Sequence, residues 1–442
     1  MKIVGLITEY NPFHNGHKYH IEEAKRASGA DYVIAIMSGN FVQRGTPAVI
    51  DKYTRAEMAL RNGVDLVLEL PVCYATGSAE YFAHGAVALL DQLGIVDVLC
   101  FGSECGDIRY LSEAAKFLSE TPDSFHKQLQ ALLREGFSFP AARSKALQLT
   151  LHTSDNTEKE ALAKVLNEPN NILGIEYMKA LRQLNSKIEP VTIQRVAAHY
   201  HERKLSTKEP FGNTASNFPQ CGIEDARLII SSATAIRGAI QRKHQTDYDN
   251  FTEIKYSVPA DVYDLLEEKY LKTYPITEED FAQLIRYKLL SEDTSKLSEY
   301  LDISSDLADR LKKMENQNLS ITDLALKIKT KNMTLTRINR ALIHMVLNIK
   351  SAYVAEYNEN GYAMYARVLG MKKESSHLIR KIVASEKIPV ITKVSKASEQ
   401  LKPLALRMLN EDIFAAHLYN QAVYHKYNSD MPNEYQCGVV MI

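Results

Sequence analysis

A chain of 442 residues is longer than one ordinary hydrophobic core organises, so two or three domains are expected. Hydrophobic residues make up 45% and charged residues 24%, which excludes a disordered or fibrous chain. A net charge of −1 excludes polyanion binding over the whole surface, so any nucleic-acid contact must be a local patch.

The first hundred residues alternate strand and helix. Lys2–Ile7, Tyr32–Met37, Val64–Leu70 and Val96–Phe101 are short apolar runs rich in Val, Ile and Leu, as expected of a parallel sheet buried on both faces. Helical patterns fall between them at Gly16–Ala27, Lys52–Asn62 and Ala79–Leu93, each followed by a glycine stop at Gly29, Gly63 or Gly94. Strand–helix repeats of this kind imply a doubly wound, Rossmann-like sheet, with ligands at the carboxyl ends of the strands. Three loops meet that rule: Thr8–His17, Ser38–Gly45 and Gly102–Gly106.

The first of these loops carries the densest chemistry. Pro12 breaks the strand, so His14-Asn15-Gly16-His17 sits where strand turns into helix. A helix N-terminus offers free amide donors and a positive dipole end, and two imidazoles there can hydrogen-bond phosphate oxygens. The same pair also reads as ordinary surface or core histidines. His14, His17 and His20 are evenly spaced, but no carboxylate or cysteine joins them at ligand spacing, so no metal site is expected. In the second loop, Gly39 and Gly45 bracket Arg44, which suits a small anion or a plain surface loop. Lys52 and Arg55, at i and i+3, read as an anion site or a solvated helix end.

From Asp107 to Arg182 the pattern is helical: Ile108–Leu118, Ser124–Glu135, Pro140–Leu149 and Lys159–Val165, an insertion over about residues 107–182. Asn170 or Asn171 is a natural N-cap for the next helix. Val191–Val196 is a further strand, with Arg195 at its end, and a loop-like stretch containing His199, Tyr200 and His201 follows. Ser232 and Thr234 then precede a helical run, with Arg237 one turn on, an arrangement that can hold polyphosphate or simply cap a helix.

Beyond Asp261 strand signals fade. Leu324–Val354 holds Lys327, Lys329, Lys331, Arg337, Arg340 and Lys350 without an acidic residue, and Gly361–Ser398 holds eight basic residues against Glu374 and Glu386. Such a surface suits an RNA backbone, or is a solvated helix face. The expected division is therefore an α/β Rossmann-like unit over 1–260 and a mainly helical, basic unit over 261–442. The five cysteines (Cys73, Cys100, Cys105, Cys221, Cys437) form no CxxC pair and are odd in number, as in a reduced, cytoplasmic protein without structural zinc. The chain opens on a strand pattern without a signal peptide, and no apolar run reaches the roughly 18 residues of a membrane span.

Together, His14-Asn15-Gly16-His17 and Ser232-Ala233-Thr234-Ala235-Ile236-Arg237 resemble the two motifs of the HxGH nucleotidyltransferase superfamily. More of the chain is similar to the bacterial tRNA-Met cytidine acetate ligases: Val4–His17, Met37–Gly45, Phe101–Glu104 and Pro169–Gly174. After Arg195 that family usually has a glycine where this chain has Val196-Ala197-Ala198-His199. The resemblance implies an enzyme that activates acetate with ATP as acetyl-adenylate. The acetyl group then passes to the exocyclic amine of the wobble cytidine of elongator tRNA-Met. By matching position, the ATP site would comprise Ile7, Thr8, Glu9, Tyr10, Asn11, Pro12, Phe13, His14, Asn15, Gly16, His17, Lys18, Tyr19 and His20, with Gly102, Asn170 and Arg195. His14, His17 and Arg237 would carry catalysis by charge neutralisation, ATP would bring Mg²⁺ on its phosphates, and the tRNA would lie on Lys327, Lys329, Lys331, Arg337 and Arg340. Two other readings remain: a small-molecule adenylyltransferase, which the basic C-terminal third disfavours, and a non-catalytic RNA-binding protein with a nucleotide pocket, which the intact histidine pair disfavours.

Overall fold

The computed structural model describes residues 1–135, 137, 139–150, 162–163, 165–166, 168–195, 230–242 and 253–442. Most of the expected helix Lys159–Val165 lies outside the described residues, as do residues 196–201, Cys221 and Ile229.

Five strands of the N-terminal half form the centre of the sheet. They are β1 (Ile3–Thr8), β2 (Tyr32–Ser38), β5 (Leu66–Leu70), β6 (Val98–Ser103) and β7 (Glu189–Gln194), while β3 (Phe41–Val42) and β4 (Thr46–Pro47) make a separate short hairpin. The five run in the order β5-β2-β1-β6-β7, all parallel, with Leu6 opposite Ala35 and Val4 opposite Val98. The order reverses between β1 and β6, which opens a crevice at their carboxyl ends. Alternate residues of β2 enter different cores: Ile34 and Ile36 on one face, Val33, Ala35 and Met37 on the other. Burial on both faces is why these strands read as continuous apolar runs.

The connecting helices are α1 (Asn15–Ser28), α2 (Lys52–Arg61), α3 (Val72–Ala75) and α4 (Ala79–Leu93). Gly29 and Gly94 end α1 and α4 in the left-handed region, at φ 63° and 71°. The helical insertion supplies α5 (Ile108–Ser119), α6 (Asp123–Arg134) and α7 (Phe139–Thr150). Helix α8 (Pro169–Gln183) packs on α4 and α5, and α9 (Ala233–Arg242) follows β7 among the described elements.

The sheet also continues across residue 260. Strand β8 (Ala366–Met371) lies antiparallel to β5, and β9 (Val390–Ile391) and β10 (Val440–Met441) pair with β8. Apolar patterning does not mark β8, whose second residue is the charged Arg367. Register places Arg367 opposite Glu69 of β5, and both side chains are buried. Lys52 and Glu434 join them, with Lys52 Nζ 2.8 Å from Glu69 and 3.0 Å from Glu434, and Arg367 ion-paired with both carboxylates. Two cations and two carboxylates thus balance inside the protein and tie the C-terminal segment to the sheet. Burial alone would raise the Glu434 carboxyl, but Lys52 and Arg367 outweigh it and hold it down at about 2.

Candidate functional site

A cavity of about 270 Å³ opens at the carboxyl ends of β1 and β6, at the point where the strand order reverses. Its floor is Ile7, Thr8 and Gly102; α1 contributes one wall and the start of α9 another. Loop 39–45 closes one side through Gln43 and Arg44.

The two histidines form a reciprocal cap on α1. The Gly16 amide donates to His14 Nδ1 at 3.1 Å, and the His14 amide donates to His17 Nδ1 at 3.2 Å. Both Nδ1 atoms are acceptors, so each ring carries its proton on Nε2, which leaves an N–H donor for a ligand. The rings stack with centroids 3.6 Å apart. Gly16 is required here, because a Cβ would lie 2.9 Å from His14 Cε1. Burial, then Arg195 and Arg237, hold His14 down at about 3; burial, then Arg195, holds His20 at about 4. Burial, followed by His14, His20 and Arg195, places His17 well below its ordinary value. All three rings are therefore neutral near pH 7. Neutral imidazoles can meet an anion only as hydrogen-bond donors, and the positive charge at the cavity is that of the arginines.

Those arginines are fixed from opposite sides. Arg237 donates from Nη1 to the Asn11 carbonyl at 2.7 Å and from Nη2 to Thr234 Oγ1 at 3.2 Å. Ser232 Oγ accepts from the Ala235 amide at 3.1 Å and so caps α9. Arg195 donates from Nη1 to Asn170 Oδ1 at 3.3 Å. Arg195 and Arg237, with Arg44 of loop 39–45, neutral imidazole donors and two helix starts thus line one cavity, an arrangement suited to a polyphosphate whose charge rises during displacement.

The likeness to known proteins is extensive. A family model described as HIGH nucleotidyl transferase matches residues 1–217 and 220–434. A tRNA(Met) cytidine acetate ligase of Alkaliphilus metalliredigens is 38% identical over 428 residues, covering 96% of this chain and 95% of the relative. One from Clostridium perfringens is 38% identical over 436 residues, covering 97% and 98%. The crystal structure of apo TmcAL from Thermotoga maritima aligns over the whole of both chains with a TM-score of 0.87 and 33% identity. The same protein bound with alpha-thio ATP aligns with a TM-score of 0.84. The chain belongs to the tRNA(Met) cytidine acetate ligase family.

Most residues expected at the ATP site of such a family member line the cavity: Ile7, Thr8, Glu9, His14, Gly16, His17, Tyr19 and His20 from the first loop and helix, with Gly102, Asn170, Arg195, Ser232, Thr234 and Arg237. Six others from the first loop do not. Tyr10 and Phe13 are core residues, packed against the His17 ring with centroids at 4.9 and 5.5 Å. Asn11 accepts from the Val49 amide at 2.8 Å, and its peptide bond to Pro12 is cis. Asn15 donates to the Tyr256 carbonyl at 2.8 Å. Pro12 and Lys18 are not among the lining residues. Among the described residues, no three His, Cys, Asp or Glu side chains gather as metal ligands.

Several supports were misread or missed. Lys52 and Arg55 are neither an anion site nor a solvated helix end: both are buried. Arg55 donates to the carbonyls of Glu9 at 2.6 Å, Ser38 at 3.0 Å and Ile50 at 3.0 Å, and also to that of Gly39. One guanidinium thus ties the two loops that border the cavity, and only the fold brings those carbonyls together. The asparagines do not cap α8 as expected; Glu168 holds the N-cap position. Glu104 accepts from the amides of Asn170 at 3.2 Å and Asn171 at 2.8 Å, while Asn171 Oδ1 accepts from the Glu104 amide at 2.9 Å. This exchange locks the end of β6 to α8 and aims Asn170 at Arg195. Phe101–Glu104 and Pro169–Gly174 both carry the family resemblance, but only the fold makes them partners.

Of the basic residues expected to meet tRNA, Lys327, Lys329 and Lys331 are exposed and Arg337 is partly buried. Arg340 differs: its Nε lies 2.7 Å from Asp302 in a largely buried ion pair. The helix that carries Arg337 and Arg340 also touches a loop at the cavity. A Cβ on Gly45, at φ 71°, would collide with the backbone of Asn339 and Arg340, so the helix Leu335–Leu347 packs directly on the loop that presents Gln43 and Arg44.

Proposed function

We propose that this protein condenses acetate with ATP to acetyl-adenylate and passes the acetyl group to the exocyclic amine of the wobble cytidine in elongator tRNA-Met. The observation that carries this reading is the reciprocal His14–His17 cap, which points two neutral Nε2–H donors at a cavity flanked by Arg195 and Arg237. In the first step a carboxylate oxygen bonds to the α-phosphorus, and the bond from that phosphorus to the pyrophosphate oxygen breaks. No proton transfer is needed, so placement and charge neutralisation suffice. In the second step the cytidine amine attacks the acetyl carbonyl, adenylate leaves and the amine loses a proton. Mg²⁺ would neutralise charge on the phosphates, which would supply most of its ligands; among the described residues Glu9 is the carboxylate that lines the cavity.

In this reading residues 1–260 supply the nucleotide chemistry. The 261–442 segment offers Lys327, Lys329, Lys331, Arg337 and Arg340 toward tRNA phosphates, and the packing of helix Leu335–Leu347 on loop 39–45 suits a nucleic acid that must reach the cavity. Incubation of tRNA with the protein, ATP and labelled acetate should yield acetylated cytidine at the wobble position. Label in no nucleoside, alongside ATP consumption driven by some other acid, would overturn the assignment.

A further inference from the structure

One wall of the cavity has no role in the account above. Phe82 of α4, Phe101 of β6 and Tyr177 of α8 line it and are buried, with 2%, 5% and 3% of their surfaces exposed. Phe101 and Tyr177 pack edge to face with centroids 5.4 Å apart. The chain makes room for this arrangement: a Cβ on Gly174 would lie 2.7 Å from Phe101 Cε2. Tyr177 is buried as a residue and lines the cavity, and among the described residues no hydrogen bond to its hydroxyl is formed.

We infer that this wall is the acyl-donor subsite, in which the Tyr177 hydroxyl donates to one carboxylate oxygen of acetate and Phe82 and Phe101 enclose the methyl group. The inference rests on the proposed acetate activation. A two-carbon carboxylate needs one short apolar niche and a donor beside it, and the wall offers both. An adenine ring would need several donors and acceptors along its edge, which one hydroxyl does not supply. Burial, then the neighbouring Glu9 carboxylate, raises the Tyr177 phenol well above its ordinary value, so it stays a donor at any working pH. With one oxygen held by Tyr177, the other is free to bond to the α-phosphorus. The aromatic rings limit the length of the chain behind it.

The test is carboxylate-dependent pyrophosphate release from ATP by the full chain, with acetate, propionate and butyrate in turn. Tyr177→Phe keeps the packing and removes the donor; it should raise KM for acetate roughly tenfold or more and leave KM for ATP unchanged. Phe82→Leu should raise the ratio of propionate to acetate kcat/KM roughly tenfold, because one methylene in an apolar pocket discriminates on that scale. Melting curves show whether each variant is folded, and Phe101→Leu substitutes if Phe82→Leu is not. A rise in KM for ATP in Tyr177→Phe would make this wall the base pocket and overturn the subsite. Unchanged acetate kinetics in Tyr177→Phe, or an unchanged acyl preference in the folded leucine variant, would also overturn it. Absence of acetate-dependent release in the wild type would instead remove the proposed activation itself.

Discussion

Two polar regions sit at the same edge of the sheet and obey opposite rules. The Lys52–Glu69–Arg367–Glu434 cluster is buried and charge-balanced. At the cavity the histidines give their Nδ1 atoms to the backbone and keep a donor each for a ligand, and His20 Nε2 has no partner among the described residues. The first arrangement spends its polar groups on holding residues far apart in sequence together; the second leaves groups unspent. Polarity in the fold is thus divided between structure and chemistry, and substitutions should separate the two.

The largest expected effect lies in the buried cluster. Arg367→Met leaves Glu69 and Glu434 facing Lys52 alone, and losing one partner of a buried pair costs about 3–5 kcal/mol. Urea unfolding should show that loss, with partial recovery in Arg367→Met/Glu434→Gln; a cost below about 1 kcal/mol would mean the carboxylates are solvated. His17→Ala should invert the pattern. Its stability loss should stay near the cost of a helix cap, about 1 kcal/mol, while acetate-dependent pyrophosphate release falls about 10²–10³-fold. Wild-type release in a folded His17→Ala protein would remove the histidine from the mechanism.

Acid separates the regions more gently. In the unfolded chain the histidines take up protons below pH 6.5, whereas folded His14 does so only near 3. The His14 contribution is therefore full above pH 6.5 and is lost as pH falls, by about 1–2 kcal/mol at pH 5. Glu434 behaves as a depressed carboxylate, so its contribution is full above 4.5 and is lost between 4.5 and about 2. His14→Ala should lessen the pH dependence of the melting temperature from 6.5 down to about 3, whereas Glu434→Gln should lessen it only below 4.5. An unchanged slope in the upper window would mean that His14 is not held neutral by the fold.

The same division explains what could be seen in the chain. Local patterns carried β1, β2, β5 and β6, the glycine stops of α1 and α4 and the starts of α1 and α9, because burial on both faces and capping leave marks within a few residues. His14-Asn15-Gly16-His17 was legible for the same reason: its cap closes on itself. Arg55, Glu104 and β8 were not legible, since their partners lie in other elements. Lys52 pairs with Glu434 across most of the chain, so helical spacing alone made Lys52 and Arg55 look like an exposed pair. Tyr177 left no mark at all, since a tyrosine on an apolar helix face is ordinary until a cavity is found beside it.

The smallest expected effect concerns the basic surface, and the structure sharpens how it must be tested. Reversing Lys327, Lys331 and Arg337 together changes side chains that are exposed or partly exposed. If they meet tRNA phosphates, affinity should fall, and the slope of log affinity against log salt should shrink by roughly one unit for each contact removed. Acetate-dependent pyrophosphate release should hold, because none of the three lines the cavity. Arg340 belongs in a separate arm. Its reversal would set a carboxylate against Asp302 beneath the backbone that supports Gly45, so it should lower both the melting temperature and acetate activation. A triple variant with unchanged affinity and salt slope would return these cations to the solvated face and move the tRNA contact elsewhere. Loss of acetate activation in the triple variant, with an unchanged melting temperature, would show that the surface and the cavity are coupled through the helix Leu335–Leu347 rather than merely adjacent.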